Sequence, residues 1–216
     1  MNLIRARVLC SIFRNERIVK ILPKIEVEYF EKAGPENTER ALQIAKSHAE
    51  ENNLKDIICA STTGETGLKL VDLFDSEEYN LIIVTHAAGF AKVGFQEFSP
   101  ENCEKIQSSS KARILTGIHA LSGISRSFRN ELKTYPLNEI IARLLRSIFG
   151  DGIKVCVEIT LMAADAGLIL CDKEKTVLAI AGTGTGADTV AVIQPAYTAN
   201  FLDLRVKQIL CKPAVW

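Results

Sequence analysis

The stretch Ile57-Ile-Cys-Ala-Ser-Thr-Thr-Gly-Glu-Thr-Gly-Leu-Lys-Leu-Val71 decides how the chain is read. Its apolar run, Ile57 to Ala60, predicts a short buried strand, which breaks into the small, polar turn Ser61–Gly67. Leu70, Val71 and Phe74 then recur at helical spacing and predict a helix over Leu68–Phe74. Strand, hydroxyl-rich turn and helix start, in that order, form an anion site. The first helical N–H groups lack intrahelical partners, the helix dipole favours negative charge there, and serine and threonine hydroxyls add donors.

The same alternation extends in both directions. Upstream, Ile25-Glu-Val-Glu-Tyr-Phe30 alternates as a strand does, and Gly34-Pro-Glu-Asn-Thr-Glu39 opens a helix with Pro35 at its first position. Leu42, Ala45 and Ala49 carry that helix to Asn52-Asn53. Downstream, Asn80–His86 is apolar on both faces, as inside a parallel sheet, and leaves through the small residues Ala87-Ala88-Gly89-Phe90. Ser99-Pro100 caps and starts a further helix, and Ala112–His119 reads as a strand leaving into Ala120–Arg126. Leu137, Ile140, Ile141, Leu144, Leu145 and Ile148 make one apolar stripe on a helix over Pro136–Phe149, ended by Gly150. Lys154–Thr160 reads as a strand leading into a helix over Leu161–Leu170. Thr176–Ala181 is a strand that runs into Gly182–Asp188, and Thr189–Ile193 with Leu202, Leu204 and Val206 supplies closing strands. Strand–helix alternation on this scale predicts an α/β fold, a three-layer sandwich with a mainly parallel sheet, as a single domain over residues 25–216.

Composition narrows the partners. Twenty-six basic and 26 acidic side chains cancel, whereas nucleic acid or an anionic membrane demands a basic excess. No apolar run approaches the roughly 20 residues of a membrane span. Six cysteines without C-x-x-C spacing predict free thiols in a reducing cytoplasm, with Cys59 and Cys156 as apolar filler inside strands. Residues 1–24 carry six basic side chains against Glu16 and no apolar signal core, and are read as a peripheral basic leader. Oligomeric state is left open, and a homo-oligomer is compatible with the sequence.

In parallel sheets ligands sit beyond the carboxyl ends of the strands. Four strand exits here are small, polar or glycine-rich: Ser61–Gly67, Thr85–Phe90, Gly117–Ser125 and Gly182–Asp188. The last matches G-x-G-x-x-A at Gly182, Gly184 and Ala187, but the β-branched run from Thr189 predicts a strand where a dinucleotide motif needs a helix. Those glycines serve either a turn between strands or a close approach to a flat ring. His86 and His119 stand at strand exits, each either a strand cap or an acid/base or ring contact, whereas His48 lies mid-helix and is structural. Arg126 and Arg129 flank the Ser122–Ser125 turn, either as solvated charges or opposite a second anionic group. Tyr29 and Phe90 are core aromatics or stacking partners for a ring. Gly123-Ile-Ser125-Arg-Ser127 is not a nucleophile elbow, and no histidine or cysteine spacing suits a metal. Catalytic residues are not identified.

At Ser61–Gly67 the chain resembles the C-terminal domain of pyruvate kinase, where such a turn holds a phosphate of a sugar bisphosphate activator. It is similar over most of its length to a family of stand-alone archaeal and bacterial proteins, pyruvate kinase α/β-domain-like. The resemblance is carried by Tyr29–Thr38, Ser61–Gly67, Thr85–Phe90 and Ala181–Thr189. It implies flavin mononucleotide (FMN) as the cofactor, with no established reaction. By that resemblance the phosphate lies on Ser61, Thr62, Thr63, Gly64, Thr66 and Gly67. The ring lies near His86, Ala87, Gly89, Gly117, His119 and the loop Gly182, Thr183, Gly184, Thr185 and Gly186. The kinase's catalytic barrel has no counterpart in 216 residues, so phosphoryl transfer to pyruvate is not implied. Three functions remain: a flavin-binding protein with a redox role, a binding module that senses a phosphorylated metabolite, and a small-molecule hydrolase or isomerase that uses His86 or His119 but has no nucleophile to pair with them.

Overall fold

The computed structural model describes residues 26–216, so the basic stretch 1–24, Ile25 and Cys10 lie outside the described residues. In chain order the strands are β1 (Glu28–Phe30), β2 (Asp56–Ala60), β3 (Asn80–Thr85), β4 (Arg113–Thr116), β5 (Val177–Ala181), β6 (Thr189–Gln194) and β7 (Arg205–Pro213). The helices are α1 (Thr38–Glu51), α2 (Glu65–Leu73), α3 (Pro100–Ser109), α4 (Ser125–Leu132), α5 (Leu137–Phe149) and α6 (Asp151–Asp165). Short 3₁₀ turns cover Pro35–Asn37 and Thr198–Asp203.

All seven strands join one sheet in the order β1-β7-β6-β5-β2-β3-β4. Strands β2, β3, β4 and β5 run parallel, and β6 alone is antiparallel to its neighbours β5 and β7. Side chains of successive strand residues enter opposite layers, as a pleat requires. Ile57 and Cys59 of β2, Leu81 and Ile83 of β3, and Leu178 and Ile180 of β5 pack with Leu42, Leu70 and Ile106 of α1, α2 and α3. Ile58, Ile82 and Ala179 face the other way, into a layer built by α6 with α5 against it. The expected α/β sandwich with a mainly parallel sheet is therefore the observed architecture.

One expectation is overturned. Lys154–Thr160 is not a strand, and the helix does not run on to Leu170. Both belong to α6, which spans Asp151–Asp165. The helix lies between the sheet and α5, and twelve of its residues, from Gly152 to Ala164, are buried. A helix covered on nearly every side is apolar all round, so its run of Ile, Val and Cys has no helical period to betray it. Cys156 is accordingly apolar filler in a helix, not in a strand. The closing pattern Leu202/Leu204 also resolves differently, because Leu202 sits in a 3₁₀ turn and β7 begins at Arg205.

Helix α5 has an unexpected orientation. Glu139 and Ala142 are its buried residues, while Leu137, Ile140, Leu144 and Ile148 are 73%, 43%, 53% and 59% exposed. The expected stripe is split: Ile141 and Leu145 pack against the core layer, and Leu137, Ile140, Leu144 and Ile148 face away from it.

Among the described residues no helix is long and apolar enough to cross a membrane. Cys59, Cys103, Cys156, Cys171 and Cys211 are free thiols. His48 lies on α1, where burial lowers its pKa.

Candidate functional site

Because β2 to β5 are parallel, the four exits named from the sequence emerge along one edge of the sheet. The chain leaves β2 toward β3 on one side and returns to β5 on the other, so β2 and β5 flank a point where strand order reverses. Ligands of open α/β sheets bind in the crevice such a reversal opens. A crevice of about 720 Å³ lies there, and a second hollow of about 350 Å³ adjoins it, sharing Phe90, His119, Ser122 and Arg126.

The Ser61–Gly67 turn forms one end. Its carbonyls are held from behind: Thr62 O accepts from Thr85 Oγ1 at 3.2 Å, and Thr63 O accepts from Ser99 N at 3.1 Å and Asn102 Nδ2 at 2.9 Å. Gly64 turns at φ 98° to start α2, packed against Asn102 and Phe98. Inside the turn Gly67 N donates to Ser61 Oγ at 3.1 Å, and the first intrahelical bond runs from Leu68 N to Gly64 O at 2.9 Å. The amides of Glu65 and Thr66 precede that bond and belong to the helix's unsatisfied donors. Thr62, Thr63, Thr66 and Lys69 line the crevice beside them. Glu65 does too, and its charge opposes an anion; Lys69, four residues on, is paired with Glu39 at 3.3 Å.

The exits of β3 and β4 bring two histidines together. His86 and His119 have ring centroids 5.3 Å apart, and Phe90 stacks on His119 at 4.8 Å and tilts against His86 at 4.1 Å. Arg126 lies over the Phe90 ring at 3.9 Å. His86 Nδ1 is 2.9 Å from Glu97 Oε2, which leaves Nε2 as the nitrogen able to exchange a proton or meet a ligand. Ala87 N donates to His119 Nε2 at 3.2 Å, so that nitrogen carries no proton. Burial lowers the His119 pKa, partly opposed by the Glu158 carboxylate.

The loop Gly182–Asp188 joins antiparallel β5 and β6, closing with Asp188 N to Ala181 O at 3.0 Å. The strand after it excludes the dinucleotide reading, since no helix N-terminus follows the glycines. The buried Asp188 carboxylate accepts from Thr183 N at 3.1 Å, Gly34 N at 3.3 Å and Thr189 Oγ1 at 2.7 Å. Gly186 sits at φ 73°, where a Cβ would lie 2.6 Å from Pro35 Cα; the loop therefore needs glycine there to pack, whatever it binds.

The crevice thus gathers Ser61, Thr62, Thr63, Thr66, His86, His119, Gly182, Gly184 and Thr185. Ala87 and Gly89 line the adjoining hollow. Gly64, Gly67, Gly117 and Thr183 line neither; Gly67 packs on Ile83 and Ile106 instead. Tyr29 is 61% exposed on β1, outside both cavities.

A further wall of the crevice is charged, and of it the sequence had pointed only to Arg129, which with Arg126 lines the crevice. Lys154 and Glu158, both buried, form an ion pair on α6, and Glu158 Oε1 also accepts from Leu121 N at 2.9 Å. Burial lowers the Lys154 pKa, with the Glu158 carboxylate pulling it back up. Arg129 meets the buried Glu139 at 2.8 Å, and Arg146 meets Asp151 at 2.8 Å. All six line the crevice. The signal that could have found them is the Lys154/Glu158 spacing of four, which pairs charges on a helix. Two buried oxygens here, Glu139 Oε1 on the wall and Thr183 Oγ1 in the adjoining loop, have no protein partner. Leaving such a group unsatisfied costs about 1–3 kcal/mol. Among the described residues no group of three or more His, Cys, Asp or Glu side chains is placed to hold a metal ion.

No protein-family model matches the chain.

Proposed function

We propose that the crevice binds a phosphorylated small molecule, with the phosphate on the Ser61–Gly67 turn, and that this ligand is FMN. The observation that carries the reading is a turn whose Thr62, Thr63 and Gly64 carbonyls are taken up by hydrogen bonds within the protein, while Thr62, Thr63 and Thr66 line the cavity at the start of α2. A volume of about 720 Å³ suits a cofactor-sized ligand, for which ~300–1,000 Å³ is usual. The resemblance of Tyr29–Thr38, Ser61–Gly67, Thr85–Phe90 and Ala181–Thr189 to a family of flavin-binding proteins supplies the choice of FMN. The residues fit that choice: hydroxyl and amide donors for the phosphate, imidazole edges for a planar ring, and the unpartnered Glu139 oxygen on the crevice wall as an acceptor for a ligand hydroxyl. FMN, when bound, would supply redox chemistry; Thr62, Thr63 and Thr66 would hold its phosphate, and His86 would present Nε2 to a substrate.

One feature favours the second reading, a sensor of phosphorylated metabolites. Phe90 is already covered by Arg126 and the two histidines, so a ligand without a ring needs no rearrangement there. A single titration panel separates the two. FMN should raise the thermal midpoint and change its visible spectrum on binding, with riboflavin weaker for want of the phosphate. Stabilisation by sugar phosphates and not by FMN would replace the first reading with the second. No response to any phosphorylated ligand would end both.

A further inference from the structure

We infer that the outward face of α4 and α5 is a homodimer interface, with a second copy of this chain as its occupant. Leu137, Ile140, Leu144 and Ile148 lie at spacings of three, four and four, a single stripe along α5, and each is between 43% and 73% exposed. Phe128 and Leu132 of α4, four residues apart, add 46% and 62% exposed side chains on the helix that precedes α5 and packs on it. A surface helix of a monomer turns its apolar stripe to its own core. Helix α5 satisfies its core with Ala142, Ile141 and Leu145, and still carries a second apolar line, Leu137, Ile140, Leu144 and Ile148, that its own core leaves to solvent.

The area fits a second copy. A large aromatic such as Phe128 presents about 150–250 Å² and each leucine or isoleucine less, so the six, at 43–73% exposure, offer on the order of 500 Å². That reaches the ~300–600 Å² largest patch of an ordinary monomer. A standard interface takes ~800 Å² from each partner, of which about 65% is apolar between identical subunits, or roughly 500 Å². The stripe itself carries no charge, and the formal net charge of the chain is zero, so two copies do not repel. A straight stripe on one helix is self-complementary about a two-fold axis, the symmetry most homodimers use. The inference is independent of what the crevice binds.

Sedimentation equilibrium on the full chain at micromolar concentration tests it. The expected mass is twice the 23.8 kDa of one chain, falling to a single chain in Leu144→Asp with unchanged far-ultraviolet circular dichroism. Leu137→Asp is the second variant, because an acid in the first turn of α5 suits the helix dipole and preserves the fold. A monomeric wild type overturns the inference, whether residues 1–25 or another protein covers the face. A wild-type dimer that survives whichever of the two variants keeps its helicity overturns it equally, by placing the interface elsewhere.

Discussion

Thr66 is a residue whose position argues for its role. It is 7% exposed, sits in the first turn of α2, and lines the crevice beside the amides that α2 leaves unpaired. A hydrogen bond to a charged group is worth about 1.5–3 kcal/mol, so Thr66→Ala should weaken FMN binding about tenfold or more. Equilibrium titration checks this, and unchanged affinity would move the phosphate away from α2. His119 makes a prediction of a different kind. Its folded-state pKa is lowered by burial, so below about 6.5 the unfolded chain takes up a proton that the folded chain resists. The stability this contributes is complete above about 6.5 and is lost as pH falls from there toward the lowered folded value. Denaturant unfolding at pH 7.5, 6.5 and 5.5 should show the wild type losing stability on the acid side faster than His119→Gln. One proton accounts for at most about 1.4 kcal/mol per pH unit. Equal slopes would mean that His119 is not held neutral.

Helix α6 shows how packing overrides local preference. Its β-branched content argues for a strand, yet the sheet needs a buried helix to cover β5, β6, β2 and β3, and α6 is that cover. It approaches β6 so closely that a Cβ on Gly152 would lie 2.0 Å from Thr189 Oγ1 and 2.4 Å from Thr189 Cβ. Gly152→Ala gains about 1 kcal/mol of helix propensity, but overpacking costs ~1–3 kcal/mol, and a contact this short belongs at the upper end. We expect net destabilisation of about 1–2 kcal/mol, read as a fall of roughly 2–8 °C in Tm for a chain of this size. A higher Tm would show that α6 can lift off the sheet freely. The paired charges Lys154 and Glu158 ride on the same helix, so misreading the helix as a strand also hid one wall of the crevice.

For the chain as a single folded body, sequence was enough where the period of the side chains is also the period of the environment. Ile57–Ala60 and Leu81–Val84 face packed layers on both sides, so uninterrupted apolar runs announced interior strands, and parallel pairing put their polar exits on one edge. The Ser61–Gly67 turn was legible because anion binding there depends on local backbone geometry, which adjacent residues set. What surrounds that turn was not. Glu97 reaching His86, Glu139 meeting Arg129, and Asp188 gathering the amides of Gly34 and Thr183 join residues between 5 and 154 positions apart in the chain. The shorter spans close through loop and helix-turn geometry, and the Gly34–Asp188 contact needs the crossing of the sheet. The direction of α5 is the clearest case: its residues dictate an apolar stripe, but whether that stripe turns inward depends on which face α6 takes. In this fold α6 takes the face that carries Ala142, Ile141 and Leu145, the buried Glu139 meets Arg129 beside it, and Leu137, Ile140, Leu144 and Ile148 are left outside. Periodicity is a property of the chain; orientation is decided by what the chain packs against.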